Sequence, residues 1–278
     1  MFPMQQANIN CEKLEYSVQG NPEGEAVILI HGGMFADMYV PLMSQPILAS
    51  TYRLVNYHRR GYAGSSHNVL DISIQQQAAD CKELMRVLDI NRAHIVGYSN
   101  AGLIALQLAL DAKSMVHSLA LLEPALVEFV PSGRKFANQM QIVMSLLQEG
   151  NKPKALDTFL STVFDGSPQY REIIDRQLPQ DAFEMAVRDL DIMFRLEAPA
   201  LQAWTFTVDD AKRIQQPILY LGGEDSAKYF QEVRKLISSW FPHREEIMIP
   251  QTTHMLHMMH PERVAASLRN FFSKNHFQ

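Results

Sequence analysis

Residues 96–102, Val-Gly-Tyr-Ser-Asn-Ala-Gly, constrain this chain more than any other stretch. His94, Ile95 and Val96 close a run with strand chemistry, and Gly102 to Leu110 is an apolar run of strong helix formers. A strand must therefore become a helix within about four residues, with Ser99 at the turn. A serine there is held in a cramped backbone conformation that only small neighbours permit, and Gly97 and Ala101 fill those places. The turn lifts the hydroxyl clear of the sheet, and the amide of Asn100, in the first helical turn, can point at an oxyanion. Ser99 is thus a candidate nucleophile. The plain alternative is an ordinary helix N-cap, so the surrounding chain has to decide.

With 278 residues, 47% of them hydrophobic, the chain can build one large α/β domain and an insertion. Its 25 Lys and Arg against 30 Asp and Glu give a net charge of −5, without a basic run to track a phosphate backbone, so no nucleic-acid partner is expected. Met1 to Tyr16 lacks the basic end and apolar middle of a signal peptide, and no apolar run approaches about 18 residues. The expectation is a cytoplasmic monomer or homodimer that meets a small-molecule substrate and no membrane. Cys11 and Cys81 stand far apart without a Cys-x-x-Cys spacing and are read as small buried hydrophobes.

In chain order, Ile9 to Val18 suits a hairpin, and Ala26 to Ile30 is a continuous apolar run of the kind buried on both faces of a parallel sheet. That run ends in His31-Gly32-Gly33, where the Gly33 amide can supply a second oxyanion donor and His31 can orient the loop. Tyr39 to Ala49 reads as a helix opened by Pro41, Arg53 to Tyr57 as a strand, and the Gly- and Arg-rich loop 58–66 as structural, since it lacks nucleotide-binding spacings. Apolar residues at 74, 78, 81, 85 and 88 mark a helix, and Ser118 to Leu122 is another buried strand closed by Glu123-Pro124. Strands alternating with helices imply a mostly parallel sheet with its site at the carboxyl ends of the strands.

From Ala125 to about Val208 no strand is convincing. Phe136, Met140, Val143 and Leu147, then Phe183, Val187, Leu190 and Phe194, mark amphipathic helices punctuated by Pro153, Pro168, Pro179 and Pro199. The sheet resumes at Pro217 to Leu221, pauses at Gly222-Gly223-Glu224-Asp225, continues at Glu246 to Ile249 and reaches Thr252-Thr253-His254, after which Pro261 opens a last helix.

His31-Gly32-Gly33, Arg60-Gly61-Tyr62 with Gly64-Ser65-Ser66, Gly97 to Gly102, Gly222 to Asp225, and His254 followed by His260 to Val264 together resemble the α/β-hydrolase superfamily, in its capped esterase-like branch. The resemblance covers nearly the whole chain and is weakest over 125–208. It implies an eight-stranded sheet built from 1–124 and 209–278, a helical cap over 125–208, no cofactor, and a Ser, acid, His triad in that chain order. Carried over residue by residue, it makes Ser99 the nucleophile, Asp225 the acid and His254 the base. Ala101 departs from the last glycine of the elbow, and Thr253 from the glycine before the histidine.

The chemistry points the same way. A serine hydroxyl needs a neutral imidazole within reach, and the imidazole needs a carboxylate to fix its tautomer. Glu123 is the rival acid, since it also ends a parallel strand; alternatively it lines the pocket or pairs with an arginine. Glu224 is disfavoured by spacing. His257 and His260 compete with His254, but His-x-x-His-x-x-His without a nearby acid or cysteine is a poor zinc signature, so no metal is expected. Met34, Met255 and other methionines suit a pocket for an apolar acyl or aromatic substrate, as does Trp204, although the same residues can simply fill a seam.

The resulting expectation is a serine hydrolase of small or medium carboxylic esters, with Gly33 and Asn100 as oxyanion donors. The scaffold also resembles C–C bond hydrolases, lactonases, perhydrolases and cofactor-free oxygenases. Dehalogenase and epoxide-hydrolase relatives carry an aspartate where Ser99 stands. A small-molecule receptor with a hydrolase-like pocket is the alternative of another class.

Overall fold

The computed structural model describes residues 2–69, 71–164, 166 and 169–277; the punctuating Pro168 lies outside them. The chain opens with β1 (Gln5–Ile9) and β2 (Glu12–Gly20), paired antiparallel through a two-residue turn in which Asn10 and Cys11 both have positive φ. Cys11 is therefore exposed at a hairpin tip rather than buried, and only Cys81 behaves as a core hydrophobe. Next come β3 (Ala26–Ile30), the short helices α1 (Val40–Met43) and α2 (Pro46–Ala49), and β4 (Arg53–Tyr57). The single helix expected over 39–49 is broken in two, because the Pro46 ring forces Gln45 into an extended conformation.

The middle of the chain supplies α3 (Ile74–Val87), capped by the Ser73 side chain, then β5 (Ala93–Tyr98), α4 (Ala101–Asp111) and β6 (Val116–Leu122). After β6 the chain leaves the sheet and the described residues form helices only: a 3-10 turn (Val127–Phe129), α5 (Gly133–Gln148), α6 (Lys152–Val163), α7 (Gln169–Gln177), α8 (Ala182–Asp191), a π-helical run (Ile192–Glu197), α9 (Ala198–Ala203) and α10 (Val208–Arg213). It rejoins the sheet through β7 (Ile218–Gly223), α11 (Lys228–Trp240), β8 (Glu245–Ile249), α12 (Leu256–Met259) and α13 (Pro261–Lys274).

The eight strands form one sheet in the order β1-β2-β4-β3-β5-β6-β7-β8. Only β2 runs against its neighbours; β4, β3, β5, β6, β7 and β8 are parallel. The central strands are largely apolar because helices cover both faces, and β3, β5 and β7 are buried at every position. One apolar core joins the sheet to α3, α4 and α11 on one side; the other joins it to α1, α2, α13 and the inner faces of α5 to α8. The parallel register brings the carboxyl ends of β3, β5, β6 and β7 to one rim, beneath the helical insertion. Among the described residues no helix is long and apolar enough to cross a membrane.

Candidate active site

Ser99 sits between β5 and α4 with φ of +54°, in the left-handed region that a serine occupies only under constraint. Its backbone is tied on both sides: the Ser99 amide donates to Leu122 O at 3.0 Å, and Ser99 O accepts from Gly102 and Ala125, each at 2.9 Å. The small neighbours are required. A Cβ on Gly97 would come within 2.6 Å of Ala101 O, and one on Gly102 within 2.4 Å of Pro124 Cβ.

The Ser99 hydroxyl lies 3.1 Å from His254 Nε2. On the far side of the ring, His254 Nδ1 lies 2.8 Å from Glu123 Oε2. A carboxylate at Nδ1 fixes the proton there and leaves Nε2 as the acceptor facing the serine. The imidazole is stacked between Tyr98 (4.7 Å between centroids, 28°) and Phe230 (3.9 Å, 19°), which hold its plane. Burial lowers the His254 pKa below 6.5, opposed by the hydrogen bond and charge of Glu123, so the ring is a neutral base at neutral pH.

The expected acid, Asp225, is not the partner of His254. Strand β7 runs through Gly223, so residues 224 and 225 lie beyond the sheet rim, where both side chains are exposed. What the Gly-Gly-Glu-Asp loop contributes is an amide: Gly223 N–H donates to Glu123 Oε1 at 2.8 Å. The loop is strapped to the His254 segment through Asp225 N–H to Thr252 O at 3.0 Å. Glu123 itself has φ of +42°, which turns its side chain from the end of β6 back under His254. One sequence signal pointed there: a lone carboxylate continuing the buried run 118–122 is costly unless it is paired.

The loop that carries Gly33 is also held by several hydrogen bonds. Gly32 O accepts from His31 Nδ1 at 2.6 Å and from Arg59 Nη2 at 3.0 Å, and His31 Nε2 accepts from the Arg59 amide at 2.9 Å. Those partners assign His31 as the neutral Nδ1–H tautomer; burial, with Arg59 and His58 nearby, pushes its pKa well below 6.5. A trans peptide whose carbonyl is fixed inward by two donors aims its N–H the other way, and Gly33 lines the cavity above Ser99. Asn100 lines the same cavity from the first turn after Ser99.

That cavity has a volume of about 600 Å³. Met34, Met140, Met144, Met193, Met255 and Met258 line it with Phe159, Phe164 and Phe194, so its wall is soft and apolar. Two further expectations fail. Trp204 does not line the cavity; it is buried against Phe129 and Phe206, with its indole N–H on Gln107 Oε1 at 2.9 Å, because α9 has by then turned back to the core. Glu123 is not a lining residue either, being 1% exposed beneath His254. His257 is buried against Tyr39 and Tyr98, and burial with His254 nearby pushes its pKa down to about 3; neither ring nitrogen has a hydrogen-bond partner among the described residues. His260 pairs with Glu262 at the surface at 3.4 Å. Among the described residues no three His, Cys, Asp or Glu side chains are placed to hold a metal ion.

Similar proteins agree with this frame. A non-heme bromoperoxidase of Mycobacterium tuberculosis is 25% identical over 264 residues, covering 91% of this chain and 95% of that protein. A fluoroacetate dehalogenase of Burkholderia is 36% identical over 105 residues, 36% of this chain, and the match spans only 34% of the dehalogenase. Among solved structures, the enol-lactonase of Burkholderia xenovorans superposes with a TM-score of 0.80 at 19% identity, covering 97% of this chain and all of the lactonase. A thermophilic esterase of Thermogutta terrifontis superposes with a TM-score of 0.78 at 17% identity, covering 99% of this chain and all of the esterase. At those identities the superpositions speak for the fold alone. The profile of the alpha/beta hydrolase family matches residues 27–267, and the chain belongs to that family.

Proposed function

We propose that the protein is a serine hydrolase of small or medium carboxylic esters whose triad is Ser99, His254 and Glu123. The observation that carries this is the continuous relay from Glu123 Oε2 through the imidazole to the Ser99 hydroxyl, 2.8 Å and 3.1 Å long, at the floor of an apolar cavity. As the serine oxygen bonds to the ester carbonyl carbon, its proton passes to His254 Nε2, and Glu123 stabilises the imidazolium. The carbonyl oxygen takes the negative charge and is met by the Gly33 and Asn100 amides. Collapse of the tetrahedral adduct expels the alcohol, which leaves with the proton from His254. Water then repeats the sequence on the acyl-serine, releasing the carboxylic acid. Residues 125–208 serve as a cap that shields the acyl-enzyme and shapes the cavity for an apolar acyl or aromatic group.

A hydroxyl nucleophile fits acyl transfer rather than the carboxylate displacement of a dehalogenase, in spite of the local likeness to one. The test is a fluorophosphonate probe with a series of short p-nitrophenyl esters. Labelling and turnover that both vanish in Ser99→Ala support the hydrolase. Saturable binding of apolar esters without labelling or turnover would show a receptor instead.

A further inference from the structure

The strongest feature outside the triad is a buried carboxylate on the insertion. Glu197 is 1% exposed and lies at the end of the π-helical run 192–197. It pairs with Arg59, accepts from Tyr62 OH at 2.7 Å, and accepts from Asn100 Nδ2 at 2.9 Å. Arg59 in turn donates Nε to His31 O and Nη2 to Gly32 O, each at 3.0 Å. One side chain of the insertion therefore reaches both halves of the oxyanion hole: it holds the residue after the nucleophile directly, and only through Arg59 does it hold the carbonyl whose orientation aims the Gly33 amide.

The same π-helical run presses two more side chains against this loop system. Met193 fills the space that a side chain on Gly33 would take, 2.9 Å from its ideal Cβ, and Ile192 does the same at Gly61 with a nearest approach of 2.7 Å. A π turn is rare and recurs at functional sites, and this one carries residues 192, 193 and 197.

We infer that Glu197 is a positioning residue for the oxyanion hole, so that the hole is assembled only while the insertion is seated on the core. This rests on the hydrolase reading above. Glu197 donates nothing to the substrate; it acts through Asn100 and Arg59.

The test compares Glu197→Gln and Asn100→Ala with the wild type, measuring kcat and KM on p-nitrophenyl butyrate and the affinity for an alkyl boronic acid, whose serine adduct carries a tetrahedral anionic centre. Each variant should lose roughly tenfold to a hundredfold in kcat with KM within about twofold, and boronate affinity should fall in parallel. The double variant should lose less than the product of the two single losses, because the Glu197–Asn100 contact is cut by both changes while only Glu197→Gln also weakens the Arg59 arm. Equal losses in kcat and 1/KM with unchanged boronate affinity, or full multiplicativity, would overturn the inference. Should Glu197→Gln not fold, Asn100→Ala decides alone: it keeps the main-chain amide, so wild-type kcat and boronate affinity refute the linkage. A wild type that neither labels with fluorophosphonate nor hydrolyses the ester fails on the hydrolase reading itself, and the inference falls with it.

Discussion

Glu123 and Glu197 are the same residue type at the same depth, each 1% exposed, the first against His254 and the second against Asn100. Their partners differ in one respect. Glu197 faces the guanidinium of Arg59, a cation at every working pH, and is further satisfied by Tyr62 and Asn100. Glu123 faces a neutral imidazole and one backbone amide, so in the resting protein its charge has no full counter-ion among the described residues. The first arrangement is balanced before a substrate arrives and can only hold shape. The second is balanced only when His254 takes a proton, which is the condition of a triad acid. Burial and residue type do not separate a reacting carboxylate from a structural one; whether the partner's charge is permanent or transient does.

The sharpest way to break that contrast is to neutralise each carboxylate without changing its shape. Glu123→Gln should lower kcat on p-nitrophenyl esters by about 10³- to 10⁴-fold, some 4–5 kcal/mol, because the amide no longer stabilises the imidazolium or fixes the tautomer. Asp225→Asn should stay within about twofold of wild type, since that side chain lies exposed beyond the rim. The reverse ranking in steady-state kinetics would return the acid to Asp225.

Stability should invert the order. Glu197→Gln leaves the buried Arg59 charge without its carboxylate and should cost about 3–5 kcal/mol in denaturant unfolding. Glu123→Gln removes a buried charge that no cation balances in the resting state, and should stay within about 1 kcal/mol of wild type. Equal losses in the two variants would mean that the difference in partners has no energetic weight.

The sheet was legible because its central strands are largely apolar runs, and Ser99 because Gly97 and Ala101 stand two residues to either side of it at a strand-to-helix turn. His254 followed from its place after the last strand. Asp225 is not the carboxylate that meets His254, for a physical reason: a Gly-x-x-Asp spacing says that a loop turns, not which way its side chains leave the sheet, whereas Glu123 is aimed by a positive φ that sequence does not display. Glu197 escaped altogether, although it continues the apolar stripe 183, 187, 190, 194 by one more helical step. A carboxylate on an otherwise inward face needs a buried cation, and Arg59, 138 positions away, becomes that cation only in the folded chain. Trp204 misled in the opposite sense, since an aromatic near a helix end fits core and pocket equally well from sequence.

The smallest expected effect bears most directly on whether Glu123 sets the proton affinity of His254. Burial lowers the His254 pKa from 6.5, and the hydrogen bond and charge of Glu123 act against that, so in the wild type the acidic limb of kcat/KM should lie below pH 6.5. Activity is present above the limb, where Nε2 is unprotonated, and is lost as pH falls through it. In Glu123→Gln the opposing influence is removed while burial stays, so the residual activity should show its acidic limb at a still lower pH. Glu197→Gln should leave the limb in place, because its partner Arg59 neither titrates nor touches the imidazole. A limb that moves upward in Glu123→Gln, or moves equally in both variants, would show that the charge felt by His254 does not come from Glu123, and the distinction between the two carboxylates would lose its basis.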